Sequence, residues 1–271
     1  MFPPDLPPVK NKFLYVWRVL AKWYSFFFFG STSLILGILI LPVMRLVFHP
    51  KERFQKHARR FVTSSFEFFV AQMHFLGIVD LELDDRRSYR SLSSKIIVAN
   101  HPSLLDVVML ISLIPNADCI VNAYLKNNIL GVVVRQLYII NTKDIDDIML
   151  SCKETLNQGN CLLVFPEGTR TPRSGRAILK KGAARIALAC GCSILPVHIG
   201  GTDKFGLGKK DPWAGFNPTQ RYIYRITMKE EINPEQYRHL PAPAAAKSIT
   251  EKIASSLFSH NDPAKLSMPV E

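Results

Sequence analysis

A histidine and an aspartate lie five residues apart at a predicted junction between a strand and a helix. Residues 100–106 read Asn-His-Pro-Ser-Leu-Leu-Asp; they follow the short apolar run 95–99 and precede the apolar run 107–114. The first run predicts a buried strand and the second a helix. On one continuous helix, residues five apart point about 140° away from each other. If His101 lies just outside the helix, its imidazole can fold back to the Asp106 carboxylate.

An imidazole paired with a carboxylate is suited to general-base catalysis. Asp106 can fix the tautomer of His101 and stabilise the imidazolium that forms, as the aspartate does in a Ser-His-Asp triad. His101 can then take the proton of a substrate hydroxyl. The chain has no G-x-S-x-G nucleophile elbow, which favours direct transfer to that hydroxyl. A metal role is disfavoured because one His and one Asp do not fill a site. A structural hydrogen bond is the alternative.

A second charged turn also follows a predicted buried strand. Residues 165–170 read Phe-Pro-Glu-Gly-Thr-Arg and begin at the last residue of the apolar run 161–165. If the strands run parallel, this turn opens at the same edge of the sheet as His101, where ligands of such sheets bind. Taken alone, it could be a structural turn with a local ion pair between Glu167 and Arg170. Its combination with the first motif favours a binding site.

The two motifs, about sixty residues apart and in this order, resemble those of the glycerolipid acyltransferase family. That family includes the 1-acyl-glycerol-3-phosphate acyltransferases. Residues 181–185 and 194–197 resemble the next helix and strand of the family, so the resemblance covers about residues 90–200. It implies an acyltransferase that uses acyl-CoA or acyl-carrier protein as donor and a lysophospholipid or related lipid as acceptor. Neither a metal nor a cofactor is expected.

The resemblance also implies roles for individual residues. His101 and Asp106 would be catalytic. The acceptor's head group would be bound by the second turn, that is by Glu167, Gly168, Thr169 and Arg170. The rigid fork of donors on an arginine suits a phosphate.

One block departs from the family pattern. The family usually carries an arginine that helps to hold the acceptor phosphate, and Asn141 or Thr142 stands where that arginine is expected. Arg135 lies upstream of that position. Lys126 resembles a family lysine, although a surface lysine explains it equally well. The missing cation weakens the prediction of lysophosphatidic acid as acceptor and favours another lysophospholipid or a non-phosphate lipid alcohol.

Positive charge is concentrated at the N-terminal end of the 271-residue chain. The formal net charge is +12, and residues 1–60 hold ten Lys and Arg against Asp5 and Glu52. Because this basic region alternates with long apolar runs, it favours an anionic membrane surface, where each cation near the lipid contributes about 1 kcal/mol. Nucleic acid is disfavoured as a partner because the basic residues are interspersed with apolar residues rather than polar ones.

The N-terminal region is predicted to be embedded in a membrane. Residues 23–44 carry no charge over 22 positions, near the roughly 20 that a spanning helix needs. A signal peptide is disfavoured because the run ends without a small-residue cleavage site. Positive charge on both sides removes the usual orientation signal, so a full span and a monotopic insertion both stay open. Residues 50–76 predict an amphipathic helix.

The rest of the chain alternates strands and helices, which predicts an α/β fold. We expect a mixed, largely parallel sheet flanked by helices. Predicted strands cover 78–83, 95–99, 118–121, 137–140, 161–165 and 193–199, and the alternation in 221–229 suggests an edge strand. Predicted helices cover 144–156, 180–189 and 242–258, and Pro102 suits the first position of the helix after His101. The predicted regions are an N-terminal anchor (1–76), an α/β acyltransferase domain (77–260) and a tail (261–271).

Three functional hypotheses follow. The leading one is a membrane-bound acyltransferase that makes phospholipid from a lysophospholipid such as 1-acyl-glycerol-3-phosphate, with His101 as general base. The second keeps the chemistry but changes the acceptor to a different lipid or secondary metabolite. The third is a non-catalytic, membrane-tethered binding protein. Because the donor is anionic and cytoplasmic, the catalytic domain is expected to face the cytoplasm. The odd count of five cysteines disfavours a disulfide framework.

Overall fold

The computed structural model describes residues 6–123, 131–141, 145–173 and 177–258, so Lys126, Thr142 and the predicted tail lie outside the described residues. Its strands are β1 (Val79–Leu83), β2 (Ile96–Ala99), β3 (Ala117–Asn122), β4 (Ile139–Asn141), β5 (Cys161–Val164), β6 (Ile194–Gly201) and β7 (Tyr222–Met228). They form one sheet in the order β1-β7-β6-β2-β5-β3-β4. The β6–β7 pair is antiparallel and the other pairs are parallel, which confirms the predicted mixed, largely parallel sheet.

Helices cover both faces of the sheet. They are α1 (Lys12–Ile35), α2 (Leu41–Val47), α3 (Lys51–Phe75), α4 (Arg86–Arg90), α5 (Asp106–Leu113), α6 (Gly131–Leu137), α7 (Ile145–Asn157), α8 (Gly182–Cys190) and α9 (Ala242–Phe258). Successive side chains of a strand point to opposite faces. In β2, Ile97 and Ala99 therefore join the apolar cluster with α3 and α5, whereas Ile96 and Val98 join the cluster with α8 and α9. All four are fully buried, which explains the uninterrupted apolar run.

The amphipathic helix α3 packs against α5 in the same apolar cluster as one face of the sheet. A buried ion pair ties it to the sheet. Arg59 donates two hydrogen bonds to Asp118 of β3, at 2.7 and 2.8 Å, and Thr155 of α7 donates a third to the same carboxylate at 2.8 Å. The basic residues of this segment are thus not all directed to solvent. The boundary at residue 76 between the N-terminal anchor and the α/β domain stays a prediction.

The N-terminal helical segment is continuous from Lys12 to Val47 and passes through a π-helical turn at Leu36–Ile40. It is long and apolar enough to cross a membrane. Many of its large apolar side chains are exposed: Phe13, Trp17, Leu20, Trp23, Tyr24, Phe27, Ile35, Ile38, Leu39, Val43, Leu46 and Val47. Such an exposed apolar surface is unusual for a chain in water and marks a membrane or partner contact.

Strand β7 corrects one prediction, because it is not an edge strand. It lies inside the sheet between β1 and β6. Its alternation has a different cause: Tyr222, Tyr224 and Ile226 are fully buried on one face, whereas Arg225 and Thr227 line an open cavity on the other. The strand is therefore polar on one face without being unpaired.

Candidate active site

The predicted contact between His101 and Asp106 is present. His101 lies outside α5, at the end of β2, and Asp106 is the first residue of α5. The distance from His101 Nδ1 to Asp106 Oδ2 is 2.8 Å, with the carboxylate fully buried and the imidazole 17% exposed. Because a carboxylate only accepts, Nδ1 carries the proton of a neutral imidazole and Nε2 is left with its lone pair. The ring can thus take a proton at Nε2.

The turn between them is built by Ser103 rather than by an early helix start. The Ser103 N–H donates to Asp106 Oδ2 at 2.7 Å, and the Leu105 N–H donates to Ser103 Oγ at 3.2 Å. Side chains that satisfy these amides compete with helix formation. Pro102 therefore lies in the turn, and the prediction that the helix begins there is wrong. The later start at Asp106 is what brings its carboxylate to the imidazole.

A buried polar chain continues behind the carboxylate. Ser103 Oγ donates to Asp106 Oδ1 at 2.5 Å and lies 2.7 Å from the Tyr224 hydroxyl, which must donate because the serine proton is already committed. The Lys204 ammonium lies 4.6 Å from the Tyr224 ring centroid. Burial lowers the pKa of Lys204 to about 8, while Asp106 and Asp203 oppose that shift. Burial, then Asp106, raises the pKa of Tyr224 well above its usual range, so Tyr224 keeps its proton.

Removing Ser103 is expected to destabilise the fold. Ser103→Ala leaves Asp106 Oδ1 and the Tyr224 hydroxyl without this partner, which costs about 1–3 kcal/mol of unfolding free energy. Tyr224→Phe should cost about 0.5–1.5 kcal/mol. The double variant should lose less than the sum, because the second change removes the group stranded by the first.

Denaturant unfolding of the detergent-solubilised variants measures these losses. Ser151→Ala is the matched control, because its hydroxyl donates only to a backbone carbonyl on the exposed face of α7. Additive losses, or a Ser103→Ala loss no larger than that of the control, would contradict the buried chain.

The second motif is joined directly to the first. Strands β2 and β5 are parallel neighbours, so both turns open at the same edge of the sheet. Glu167 Oε1 accepts hydrogen bonds from the His101 N–H at 3.2 Å and from Thr171 Oγ1 at 2.5 Å. The Thr171 N–H donates to the His101 carbonyl at 2.6 Å, and the Phe165 ring stacks on the imidazole at 4.3 Å. Glu167 thus holds the backbone of the histidine and is itself buried.

Arg170 and Glu167 do not form the local ion pair considered above. Arg170 Nη1 donates instead to the carbonyls of Leu207 and Gly208, at 3.0 and 2.9 Å. Gly168, with φ +64°, and Thr169 are exposed at the tip of the turn. A Cβ at Gly168 would lie 3.1 Å from the Lys180 ammonium, which places a further cation beside the turn. No motif in the sequence drew attention to Lys180.

The structure also shows where Asn141, one of the two residues at the position of the missing family arginine, lies in the sheet. Asn141 ends the edge strand β4, three strands from β2 in the sheet, and its side chain is exposed. Arg135 lies on α6, where its side chain is exposed and donates to the Gly131 carbonyl at 3.0 Å. Neither residue is in hydrogen-bond contact with the His101 turn.

A cavity of about 630 Å³ adjoins the two turns, which contribute Asn100, Pro102 and Thr171 to its wall. Its charged lining residues are Arg173, Lys204, Lys209, Arg225, Lys229, Asp203 and Asp211. Arg173 pairs with both aspartates, and Arg225 pairs with Glu82. In the described part of the chain, Lys209 and Lys229 make no ion pair, so positive charge is in excess here.

Comparison with known proteins adds to this geometry. Residues 81–200 match the sequence profile of the family described as Acyltransferase. The chain is 25% identical over 176 residues to the "Probable 1-acyl-sn-glycerol-3-phosphate acyltransferase" of Mycoplasma genitalium, covering 60% of this chain and 66% of that protein. It is 26% identical over 182 residues to "1-acyl-sn-glycerol-3-phosphate acyltransferase LPAT1, chloroplastic" of Arabidopsis thaliana, covering 65% of this chain and 49% of that protein. The chain thus spans about half to two thirds of these relatives.

Two further comparisons cover more of the similar protein. The "1-acyl-sn-glycerol-3-phosphate acyltransferase" of Helicobacter pylori is 27% identical over 201 residues, which are 69% of this chain and 77% of that protein. The crystal structure of the 1-acyl-sn-glycerophosphate (LPA) acyltransferase PlsC from Thermotoga maritima superposes with a TM-score of 0.60 at 20% identity, covering 90% of this chain and 98% of that one. The structural likeness establishes a shared fold.

Proposed function

We propose that this chain, a member of the glycerolipid acyltransferase family, is a membrane-bound O-acyltransferase. The proposed reaction moves a fatty acyl group from an acyl thioester to the hydroxyl of a lysophospholipid such as 1-acyl-sn-glycerol-3-phosphate. The observation that carries this proposal is the buried Asp106 carboxylate 2.8 Å from His101 Nδ1, beside the turn that bears Arg170. The relatives of M. genitalium and A. thaliana, named as 1-acyl-sn-glycerol-3-phosphate acyltransferases, support the acceptor.

The proposed chemistry uses His101 as a base and then as an acid. Nε2 takes the proton of the acceptor hydroxyl while the hydroxyl oxygen attacks the thioester carbonyl carbon. The carbon–sulfur bond breaks, and the leaving thiolate takes the proton from the imidazolium. The products are an ester and a free thiol, and His101 returns to its neutral form. Asp106 stabilises the imidazolium between these steps, and the hydrogen bonds from Ser103 keep the carboxylate aimed at Nδ1.

The acceptor's head group is proposed to bind at the second turn. Arg170 keeps donors beyond the Nη1 bonds to Leu207 and Gly208, because a guanidinium carries five N–H groups. Lys180 lies beside Gly168 and can add a second positive charge. In this arrangement Thr169 offers an exposed hydroxyl and its backbone amide, whereas the Gly168 N–H already donates to the Phe165 carbonyl at 3.0 Å. Glu167 acts by holding the His101 backbone. Lys180 would then partly replace the family arginine that is missing at the position of Asn141 or Thr142.

The donor is proposed to be acyl-CoA or acyl-carrier protein. Both carry phosphate, and the excess positive charge in the cavity beside the turns suits an anionic group. The exposed apolar helix Lys12–Val47 supports attachment to a membrane, where both the acceptor and the acylated product reside. Because these donors are cytoplasmic, we place the catalytic domain on the cytoplasmic side.

The acceptor is tested with purified protein in detergent, labelled acyl-CoA or acyl-carrier protein, and a panel of lysophospholipids and non-phosphate lipid alcohols. Lysophosphatidic acid is expected to be acylated. Faster transfer to an acceptor without a terminal phosphate would favour the alternative suggested by Asn141. Absence of transfer to every acceptor would instead indicate a binding protein.

Arg170→Ala should raise the KM for the phosphate-bearing acceptor. The expected rise is about 10- to 100-fold, because hydrogen bonds to a charged group contribute about 1.5–3 kcal/mol each. The KM for the donor should change little. Steady-state kinetics with each substrate varied in turn measure both values. A matched control is Arg90→Ala, since Arg90 lies on the exposed surface and pairs with Glu67. An unchanged acceptor KM would remove Arg170 from the proposed head-group site.

A further inference from the structure

The loop between β6 and β7 is fastened to the N-terminal helix by a buried lysine. Lys22 of α1 is fully buried, and its ammonium donates to the carbonyls of Trp213 at 2.7 Å, Gly215 at 2.5 Å and Gly206 at 3.4 Å. We call residues 206–216 the bridging loop. An ammonium has three donors, and here all three are directed to backbone carbonyls of this loop.

Aromatic contacts reinforce the same junction. The Trp213 ring lies 6.1 Å from both Trp23 and Phe26 of α1, and is itself 61% exposed. Gly206 has φ +91°, and a Cβ on it would lie 1.9 Å from the Gly215 carbonyl oxygen. The backbone segments at Gly206 and Gly215 therefore approach closely enough to exclude any side chain at position 206. This close approach brings their carbonyls together around Lys22.

The other side of the bridging loop contacts the candidate active site. Arg170 Nη1 donates to the carbonyls of Leu207 and Gly208, and the Leu104 N–H of the His101 turn donates to Leu207 at 3.0 Å. Asp211 Oδ2 braces the loop internally by accepting from the N–H groups of Gly206 and Gly208, at 2.9 and 3.0 Å. Gly206, which accepts from Lys22, thus directly precedes Leu207 and Gly208, which accept from Arg170.

Lys22 also has a defined place along the helix. It directly precedes the charge-free residues 23–44, so it lies where the helix enters the apolar layer if the helix is inserted. Tryptophans concentrate at that level of a membrane protein, and Trp23 and Trp213 are adjacent here. A buried charge bonded only to carbonyls is costly to keep. All of the hydrogen bonds described above for the Lys22 ammonium go to carbonyls of the bridging loop.

From these contacts we infer that Lys22 is a positioning residue for acceptor binding: it holds the bridging loop whose carbonyls hold Arg170, and so couples the membrane helix to the head-group site. This inference rests on the proposed function, because it takes Arg170 as the residue that binds the acceptor's head group. Lys22 touches neither substrate nor the reacting atoms. Its effect must therefore appear in acceptor binding and must pass through Arg170.

A double-mutant cycle in detergent solution tests the coupling. Lys22→Met keeps the length of the side chain and removes the donors. We expect it to raise the acceptor KM about tenfold, within the range of coupling between residues of one network, with the donor KM and kcat unchanged. In the Arg170→Ala background, Lys22→Met should cause no further rise, because the guanidinium that it positions is gone. Lys12→Met, at the exposed start of the same helix, is the matched control.

A second variant keeps the test decisive if Lys22→Met folds poorly. Gly206→Ala keeps the lysine but disrupts its junction with the bridging loop, because the added Cβ would lie 1.9 Å from the Gly215 oxygen and 2.9 Å from Lys22 Nζ. The same rise in acceptor KM is expected, again absent in the Arg170→Ala background. If either change multiplies the effect of Arg170→Ala, the inference about Lys22 is overturned while the proposed function stands. If Arg170→Ala itself leaves the acceptor KM unchanged, the head-group assignment fails, and the inference fails with it.

Discussion

Replacing His101 by alanine is expected to lower kcat by at least about 10²-fold and by up to about 10⁴-fold, the range attributed to a positioned general base. The hydroxyl of the acceptor is a poor nucleophile unless its proton is removed. Among the described residues, His101 is the imidazole that pairs with Asp106, so its removal leaves this carboxylate without a base to orient. The KM values should change little, because Nε2 acts on the proton in the transition state. Initial rates with the labelled donor at saturating acceptor measure the loss.

The chain offers a close control for this experiment. His74 also pairs with an aspartate, at 2.8 Å from Asp80, but its side chain is 63% exposed on the surface at the end of α3. His74→Ala removes a comparable His–Asp contact far from the proposed chemistry, so its kcat should stay close to that of the unmodified protein. If His101→Ala kept full activity, a different group would have to deprotonate the acceptor.

Breaking the ion pair between α3 and β3 is expected to cause the largest loss of stability. Arg59 and Asp118 are both buried, at 8% and 2% side-chain exposure, and are joined by two hydrogen bonds. Arg59→Met leaves the Asp118 carboxylate buried with only the hydroxyl of Thr155, which should cost about 3–5 kcal/mol of unfolding free energy. Urea unfolding of the purified protein in detergent measures this loss.

Removing both charges separates the cost of a stranded carboxylate from that of lost packing. Arg59→Met combined with Asp118→Leu should recover most of the stability, since apolar replacements of buried ion pairs are often neutral or stabilising. Arg90→Met is the exposed comparison and should cost no more than about 1 kcal/mol. A double variant as unstable as Arg59→Met would show that packing around the guanidinium, rather than the unpaired charge, governs this site.

Local spacing is sufficient to predict the contact between His101 and Asp106, because both residues lie within one turn. The parallel pairing of β2 with β5 then brings Glu167 to the same edge of the sheet. The groups behind them were not predictable in this way. Tyr224 reaches Ser103 across 121 residues, and no periodic pattern records a contact of that range.

The errors have the same origin. The prediction that the helix begins at Pro102 relied on backbone preference, which the side chains of Ser103 and Asp106 override. The prediction that β7 is an edge strand relied on its alternation, which reflects a cavity on one face. The predicted amphipathic helix over 50–76 is present, but its pattern did not single out Arg59 as the cation that is buried against Asp118. A local side-chain contact decided the first outcome, a cavity beside the sheet the second, and a buried tertiary ion pair the third.

The contact between Lys22 and the bridging loop also has a consequence for the order of events during synthesis. Lys22 and its acceptors are 184 to 193 residues apart in the chain. At about 5–20 residues per second, translation separates them by about 10–40 s, whereas a helix forms within about a microsecond. Helix α1 is therefore complete while the ribosome is still making the sheet, and Lys22 stays hydrated until residue 215 emerges. Closure of the bridging loop on α1 is thus a late, post-helix event that couples completion of the sheet to the N-terminal helix.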